Sequence, residues 1–171
     1  MSEAQARAQA KTHAKTQAKP ATATIHGVAV AVGNAGVLLR GRSGAGKSRL
    51  AEELADEARR RGWFGRLVAD DRVRVVAHGN RLVLSPHTAV AGRIERSGQG
   101  IFPVDHEPSV VLRLVVDLID RDRASDHPPR MPGPADRTAI IEGVATPRLA
   151  LAIGEAGAAR AILALVDQIG A

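Results

Sequence analysis

The stretch GRSGAGKSRL, from Gly41 to Leu50, constrains the fold of this chain more than any other. Glycines stand at positions 41 and 46, and Lys47 and Ser48 follow, which is the spacing of a phosphate-binding loop. Glycines let backbone N–H groups turn inward around phosphate oxygens, and the helix that follows adds the positive end of its dipole. The stretch also lies between an apolar run and a helical pattern, which is the context of such a loop. The sequence therefore predicts an α/β nucleotide-binding domain.

The residue types in the loop predict how its tasks are divided. The Lys47 ammonium is expected to reach the outer phosphates of the nucleotide, and the Ser48 hydroxyl is expected to ligate Mg²⁺. ATP and Mg²⁺ are therefore the predicted cofactors. The residues predicted to contact the nucleotide are Gly41, Ser43, Gly44, Ala45, Gly46, Lys47 and Ser48.

Composition argues against several other classes of function. The 171 residues suit one domain, and the absence of cysteine excludes disulfides and thiolate metal sites. The aromatic residues are only Trp63, Phe64 and Phe102, too few for a surface that stacks on nucleic-acid bases. No apolar run reaches the roughly 18 residues of a membrane span. We expect a cytoplasmic protein with neither a nucleic-acid partner nor a membrane span.

The formal net charge of +6 is unevenly distributed along the chain. Four cations, Arg7, Lys11, Lys15 and Lys19, precede residue 25, against the single acidic residue Glu3. This Ala/Lys/Gln-rich tract has no large apolar residue after its first position and cannot bury a hydrophobic face. The sequence predicts a disordered basic tail over residues 1–24 and one catalytic domain over residues 25–171.

Hydrophobic periodicity predicts the order of elements in that domain. The expected helices cover 48–61, ended by Gly62, and 155–169. The expected strands cover 25–32, 37–40, 67–70, 72–77, 81–85, 110–119, 139–145 and 147–153, with an irregular segment at 87–104 and a mobile Pro-rich loop at 120–136. Hairpins outnumber crossover helices, so a mixed sheet is predicted instead of a parallel one.

Two adjacent carboxylates, Asp70 and Asp71, end the strand that follows the loop and its helix. A carboxylate at that position can hold Mg²⁺, and its neighbour can act as a base toward the attacking oxygen. An acidic solvated turn is the other interpretation of this pair. His26 carries no such signal by itself, because a lone histidine is usually structural or merely exposed. Glu95 lies in a loop-like stretch with three glycines, where ordinary surface charge and a metal or phosphate contact are both open interpretations.

The order of these motifs resembles that of the catalytic domain of bacterial HPr kinase/phosphorylase. The matching pieces are Ile25-His26-Gly27, then Gly41 to Ser48, then Ala69 to Val73, and last Ile94 to Ile101, which is similar to the family signature LEIRGLGI. The resemblance covers most of residues 25–153. It implies a P-loop domain with a mixed sheet, similar to phosphoenolpyruvate carboxykinase.

The resemblance also implies an activity and a set of site residues. The activity is transfer of the ATP γ-phosphate to a serine of an HPr-type phosphocarrier protein, with reverse phosphorolysis, in phosphotransferase-system regulation. Asp71 would be the base and acid, His26 would tune it, and Asp70 and Glu95 would join Ser48 at the metal. The resemblance further implies a homo-oligomer, a hexamer.

This chain departs from the family pattern in three places. The tail stands where the family usually has an amino-terminal domain, so we expect the short form known from alphaproteobacteria. RRRGWFG lengthens the segment before the aspartates, and Ser97 stands where the family has an arginine. Two alternatives stay open: a P-loop small-molecule kinase or NTPase, because the loop itself is generic, and a degenerate nucleotide-binding sensor, because of these departures.

Overall fold

The computed structural model describes residues 21–87, 92–96, 98–120 and 131–170. This part of the chain contains eleven strands and two helices, and both helices agree with the predicted ones to within three residues at each end. The helices are α1 (Lys47–Arg60) and α2 (Ala158–Gly170). The strands are β1 (Thr22–His26), β2 (Val28–Val32), β3 (Ala35–Gly41), β4 (Gly65–Ala69), β5 (Arg72–His78), β6 (Arg81–Pro86), β7 (Arg93–Arg96), β8 (Gly100–Pro103), β9 (Val110–Ile119), β10 (Thr138–Ile141) and β11 (Val144–Ala152).

Nine strands form one mixed sheet. Its order is β1-β5-β6-β9-β3-β2-β4, with β11 joined to β9 and β10 joined to β11. Strands β3, β9 and β11 run parallel to one another, and the remaining pairs are antiparallel. The prediction of an α/β fold with a mixed sheet is confirmed.

The central strands are apolar on both faces because each face covers a separate core. Helices α1 and α2 pack on one face, where Leu54 and Ile162 contact a cluster that includes Leu39. The next residue back along β3, Leu38, points to the other face and joins a second cluster that includes Val73 and Leu84. Because side chains alternate between the two faces of a strand, β3 packs into both clusters. The phosphate loop follows directly after this strand.

Gly27 divides what the sequence predicted as one strand over 25–32. Before it, β1 pairs with β5, and after it, β2 pairs with β3 and β4. A Cβ at this position would lie 2.6 Å from the Leu39 carbonyl oxygen, so only glycine allows the backbone to pass this close. The prediction of a single strand is wrong because the hydrophobic pattern continues through a change of strand partners.

Three further segments differ from their predictions. The predicted irregular segment contains the β7–β8 hairpin, and β1 begins at Thr22, inside the predicted tail. The break between the last two strands lies at Glu142 and Gly143, not at Thr146, because both of these residues have positive φ and close a two-residue hairpin turn. Residues 121–130 of the predicted mobile loop lie outside the described part.

The parallel strands are linked by Arg40 and Asp117, near the carboxyl ends of β3 and β9, and by Arg148, in the middle of β11; we call these three residues the strand-end cluster. The Asp117 carboxylate accepts bonds from Arg40 Nε (2.7 Å) and Nη2 (2.9 Å) and from Arg148 Nε (2.5 Å). Burial raises the pKa of Asp117, but the hydrogen bonds and charges of the two arginines outweigh it and lower the pKa overall. Nearby, Arg42 forms an ion pair of 3.0 Å with Asp120, which connects the phosphate loop to the end of β9.

No helix in the described ranges is long and apolar enough to cross a membrane.

Candidate functional site

The phosphate loop connects the end of β3 to the start of α1. Gly44 and Gly46 have φ angles of 76° and 82°, a conformation that residues with a side chain rarely adopt. Between them, Ala45 is buried, and its N–H donates to the Arg42 carbonyl at 3.2 Å. The loop therefore closes on itself around Ala45, directly before α1 begins at Lys47.

The side chain of Lys47, the first residue of α1, folds back onto the loop. Its Nζ donates to the carbonyl oxygens of Gly41 and Arg42, each at 3.0 Å, and lies 3.2 Å from Nε2 of His26. The residue is 8% exposed. Burial lowers the pKa of the Lys47 ammonium, while the charges of Asp70 and Asp71 oppose that shift. An anion beside this ammonium would oppose the effect of burial further.

Ser48 and Asp70 bring two hard oxygen ligands together. The Ser48 hydroxyl donates to Asp70 Oδ1 at 3.0 Å, and Asp70 is only 6% exposed, directly after β4. The backbone N–H of Asp71 also bonds to Asp70 Oδ1, at 3.2 Å. The carboxylate is thereby held in one orientation beside the first turn of α1.

Asp71 points the other way, into the open part of the cleft. Its φ of 67° turns the chain sharply after β4, and its Oδ1 lies 2.9 Å from His26 Nδ1. Because the Lys47 ammonium has only donors, His26 Nε2 must accept from it, which places the imidazole proton on Nδ1, facing Asp71. Lys47, His26 and Asp71 therefore form a hydrogen-bonded chain with a defined direction.

These groups share one cleft of about 410 Å³. It brings together predicted site residues from three separate parts of the sequence: His26, the pair Lys47 and Ser48, and the pair Asp70 and Asp71. Its complete lining is His26, Ser43, Gly44, Gly46, Lys47, Ser48, Arg49, Glu52, Asp70, Asp71 and Gln99.

The other predicted site residues lie elsewhere. Gly41 contributes the carbonyl that accepts from Lys47, and Ala45 packs beneath the loop without lining this cleft. Glu95 belongs to β7, but its side chain is outside the described part, so its predicted metal role stays a prediction. Among the described residues, no group of three or more His, Cys, Asp or Glu side chains could hold a metal ion.

Sequence reasoning missed three residues of the cleft: Arg49, Glu52 and Gln99. The first two lie on α1, one and four positions after Ser48. Gln99 lies in the connection between β7 and β8, in a segment that was predicted to be irregular. Its place among the glycines of SGQGI, inside a stretch similar to the family signature, was the available signal.

Comparison with known proteins identifies the family of this chain. Residues 18–168 match the family model of the HPr Serine kinase C-terminal domain. The HPr kinase/phosphorylase of Limosilactobacillus reuteri (strain DSM 20016) is 32% identical over 144 residues, which is 76% of this chain and 41% of that protein. The HPr kinase/phosphorylase of Azoarcus sp. (strain BH72) is 35% identical over 145 residues, or 76% of this chain and 42% of that protein.

A solved structure shows the same fold. The Hpr(Ser) kinase/phosphatase from Coxiella burnetii superposes with a TM-score of 0.68 and 26% sequence identity, covering 85% of this chain and 89% of that one. The curated relatives are much longer, since this chain spans about two fifths of their length. Because the family model matches residues 18–168 of this chain and the fold is shared, the chain belongs to the HPr serine kinase family, as the order of its motifs predicted.

Proposed function

We propose that this protein is an ATP- and Mg²⁺-dependent kinase that phosphorylates a serine of an HPr-type phosphocarrier protein. The observation that carries the proposal is the convergence of Lys47, Ser48, Asp70, Asp71 and His26 on one cleft beside the phosphate loop. Family membership supports it, because the relatives are named HPr kinase/phosphorylase. By the same support, the reverse phosphorolysis, a cytoplasmic location and a homo-oligomer belong to the proposal.

The residues present fit a nucleotide with its metal ion. The loop offers backbone N–H groups around Gly44 and Gly46, and the buried Lys47 ammonium would neutralise the phosphates. The Ser48 hydroxyl and the Asp70 carboxylate are the hard oxygen ligands that Mg²⁺ takes, usually one or two from protein beside phosphate oxygens and water. Bound there, the metal ion would neutralise charge on the phosphates during transfer.

Asp71 would take the proton from the attacking serine. Its side chain is 60% exposed, so a hydroxyl on the surface of another protein can approach it, whereas the buried Asp70 is not accessible in this way. The Nδ1–H of His26 holds one oxygen of Asp71 and leaves the other for the incoming hydroxyl. His26 is thus a positioning residue in this proposal, and Asp71 is the catalytic base.

Lys47 has two tasks in the proposal. It would bind the outer phosphates, and through Nε2 of His26 it sets the imidazole tautomer that faces Asp71. Replacing Lys47 therefore affects phosphate binding and the position of the base together. Loss of a catalytic group of this kind commonly lowers the rate by a factor of about 10² to 10⁴.

The test is a phosphotransfer assay with γ-labelled ATP, Mg²⁺ and an HPr-type protein. We expect label on one serine of the acceptor, lost when that serine is alanine, and no transfer by Lys47→Ala. Lys15→Ala, in the amino-terminal tract, is the matched control and should leave the rate unchanged. Normal transfer by Lys47→Ala would contradict the mechanism. Label on a metabolite pool and never on the protein would favour a small-molecule kinase, and nucleotide binding without turnover would favour a sensor.

A further inference from the structure

Two ion pairs follow one another where strand β3 passes into the phosphate loop. The parallel register of β3 and β9 sets Arg40 directly beside Asp117, and these two residues belong to the strand-end cluster. Two residues after Arg40 and three after Asp117, Arg42 Nη2 lies 3.0 Å from Asp120 Oδ2. The second pair therefore joins a residue of the loop to the first residue after β9.

Gly41, between the two arginines, lets the ends of these strands approach closely. A Cβ at this position would lie 2.9 Å from the Leu118 carbonyl oxygen and 3.1 Å from the Leu118 Cβ, so a side chain there would force the strand ends apart. The start of the loop is thereby packed against the end of β9, and backbone packing brings Asp120 within reach of Arg42.

Arg42 holds the loop through its backbone as well as its side chain. Its carbonyl oxygen accepts from Lys47 Nζ at 3.0 Å and from the Ala45 N–H at 3.2 Å. Because the peptide unit is planar, rotation of the Arg42 backbone would move this oxygen away from both donors at once. The ion pair with Asp120 restrains the same residue through its guanidinium.

The Arg42 carbonyl is one of three groups that position the Lys47 ammonium. The other two are the Gly41 carbonyl, at 3.0 Å, and Nε2 of His26, at 3.2 Å. An ammonium group has three donors, so these three acceptors use all of them. A shift of the Arg42 carbonyl therefore changes the position of the ammonium relative to His26 and to the cleft.

We infer that Asp120 is a positioning residue for phosphate transfer, and that it acts through Arg42 on Lys47. The inference rests on the proposed function, since that function gives Lys47 the task of binding the outer phosphates. Neither Asp120 nor Arg42 is among the residues that line the catalytic cleft. Asp120 therefore acts through the backbone of the loop, by holding the carbonyl that holds Lys47.

The partial exposure of this ion pair sets the expected size of the effect. The side chain of Arg42 is 57% exposed and that of Asp120 is 20% exposed. Ion pairs this accessible are weakly coupled, and a coupling of that order corresponds to about a fivefold change in rate. Loss of the pair should therefore slow phosphate transfer by about threefold to tenfold and leave the fold intact.

The test is a double-mutant cycle in the phosphotransfer assay. Asp120→Asn and Arg42→Gln each remove one charge of the pair, and each should lower kcat by about threefold to tenfold. Because Asp120 acts through Arg42, Asp120→Asn should cause no further loss in the Arg42→Gln background. Asp56→Asn, which breaks an exposed ion pair with Arg59 on α1, is the matched control and should keep the wild-type rate. The same fractional loss from Asp120→Asn in both backgrounds would overturn the inference.

Two measurements need no acceptor protein. Since His26 Nε2 accepts from Lys47, the ¹⁵N signal of this nitrogen reports the position of the ammonium in the free protein. We expect the signal to shift in Asp120→Asn and in Arg42→Gln, and to stay in place in Asp56→Asn. Tripolyphosphate should bind about threefold to tenfold more weakly to the first two variants. An unchanged His26 signal or an unchanged tripolyphosphate affinity in Asp120→Asn would overturn the inference.

The two hypotheses fail in different ways. If the wild type labels no HPr-type protein, but Asp120→Asn shifts the His26 signal and weakens tripolyphosphate binding, the proposed function fails and the placement of Lys47 by Asp120 stands. If the wild type labels the acceptor and Asp120→Asn does so at the same rate, only the positioning role of Asp120 is wrong.

Discussion

The strand-end cluster provides a prediction whose size follows from the structure. Asp117 accepts three hydrogen bonds from two arginines, and its side chain is 15% exposed, against 30% for Arg40 and 27% for Arg148. Asp117→Asn keeps the shape of the side chain but replaces one acceptor oxygen by an N–H₂ donor. That donor then faces a guanidinium donor. Each charge-assisted bond contributes about 1.5–3 kcal/mol.

Losing one such bond and weakening the other two should cost about 3 kcal/mol of the free energy of unfolding, near the lower limit for breaking a buried ion pair. With a denaturant slope of about 2 kcal/mol/M, the urea midpoint should fall by about 1.5 M. Trp63 is the single tryptophan, partly buried against the helix-side core, and its fluorescence reports the transition. Asp56→Asn removes an exposed ion pair with Arg59 and should cost under about 0.5 kcal/mol.

The pH dependence provides a second test of the same reasoning. The pKa of Asp117 is lowered on folding, so its carboxylate stabilises the fold fully above the unfolded pKa of about 3.9 and progressively less as the pH falls through the folded value. The difference between wild type and Asp117→Asn should therefore be constant from pH 5 to 7 and shrink below about pH 4. A difference under about 1 kcal/mol at pH 7, or one that persists unchanged at pH 3, would refute the assignment.

Two more predictions concern the catalytic cleft. Asp70→Asn should raise the Mg²⁺ concentration needed for half-maximal nucleotide binding by about tenfold or more, because the Asp70 carboxylate orients Ser48. A magnesium titration with the same midpoint as that of the control Asp167→Asn would contradict this. His26→Ala should impair dephosphorylation of the phospho-acceptor more than it impairs phosphorylation. In dephosphorylation Asp71 must arrive protonated, and His26 can share that proton. Equal losses in both directions would exclude this role for His26.

Much of the fold was predictable because its signals are local. The loop and α1 follow from the glycine spacing and the helical period within residues 41–61, and both were found where predicted. The hairpin of β5 and β6 followed from alternation around His78 to Asn80. The turn at Glu142 and Gly143 was missed, since a glutamate at positive φ is uncommon and the strand pattern continues on both sides of it.

The site itself was predictable only in part. Lys47 and Ser48 belong to the local motif, whereas His26 carried no signal of its own and entered through the resemblance to the family. Its contact with Asp71 depends on the change of strand partners at Gly27, whose N–H bonds to the Asp71 carbonyl at 3.2 Å. No periodicity in the sequence reveals that contact. Position 27 requires glycine because the Leu39 backbone lies so close to it, and that proximity exists only in the folded chain.

The sequence by itself determined the phosphate loop, the helix that follows it and the mixed character of the sheet, since these depend on neighbouring residues. The tertiary structure alone decided that β11 lies parallel beside β9 and that the 152–158 turn thereby faces the loop about a hundred residues earlier. It also decided that Asp117 joins arginines from two other strands. Contacts between residues so far apart depend on how whole layers pack, because the entropy of closing a long loop is recovered only by the cooperative burial of many side chains.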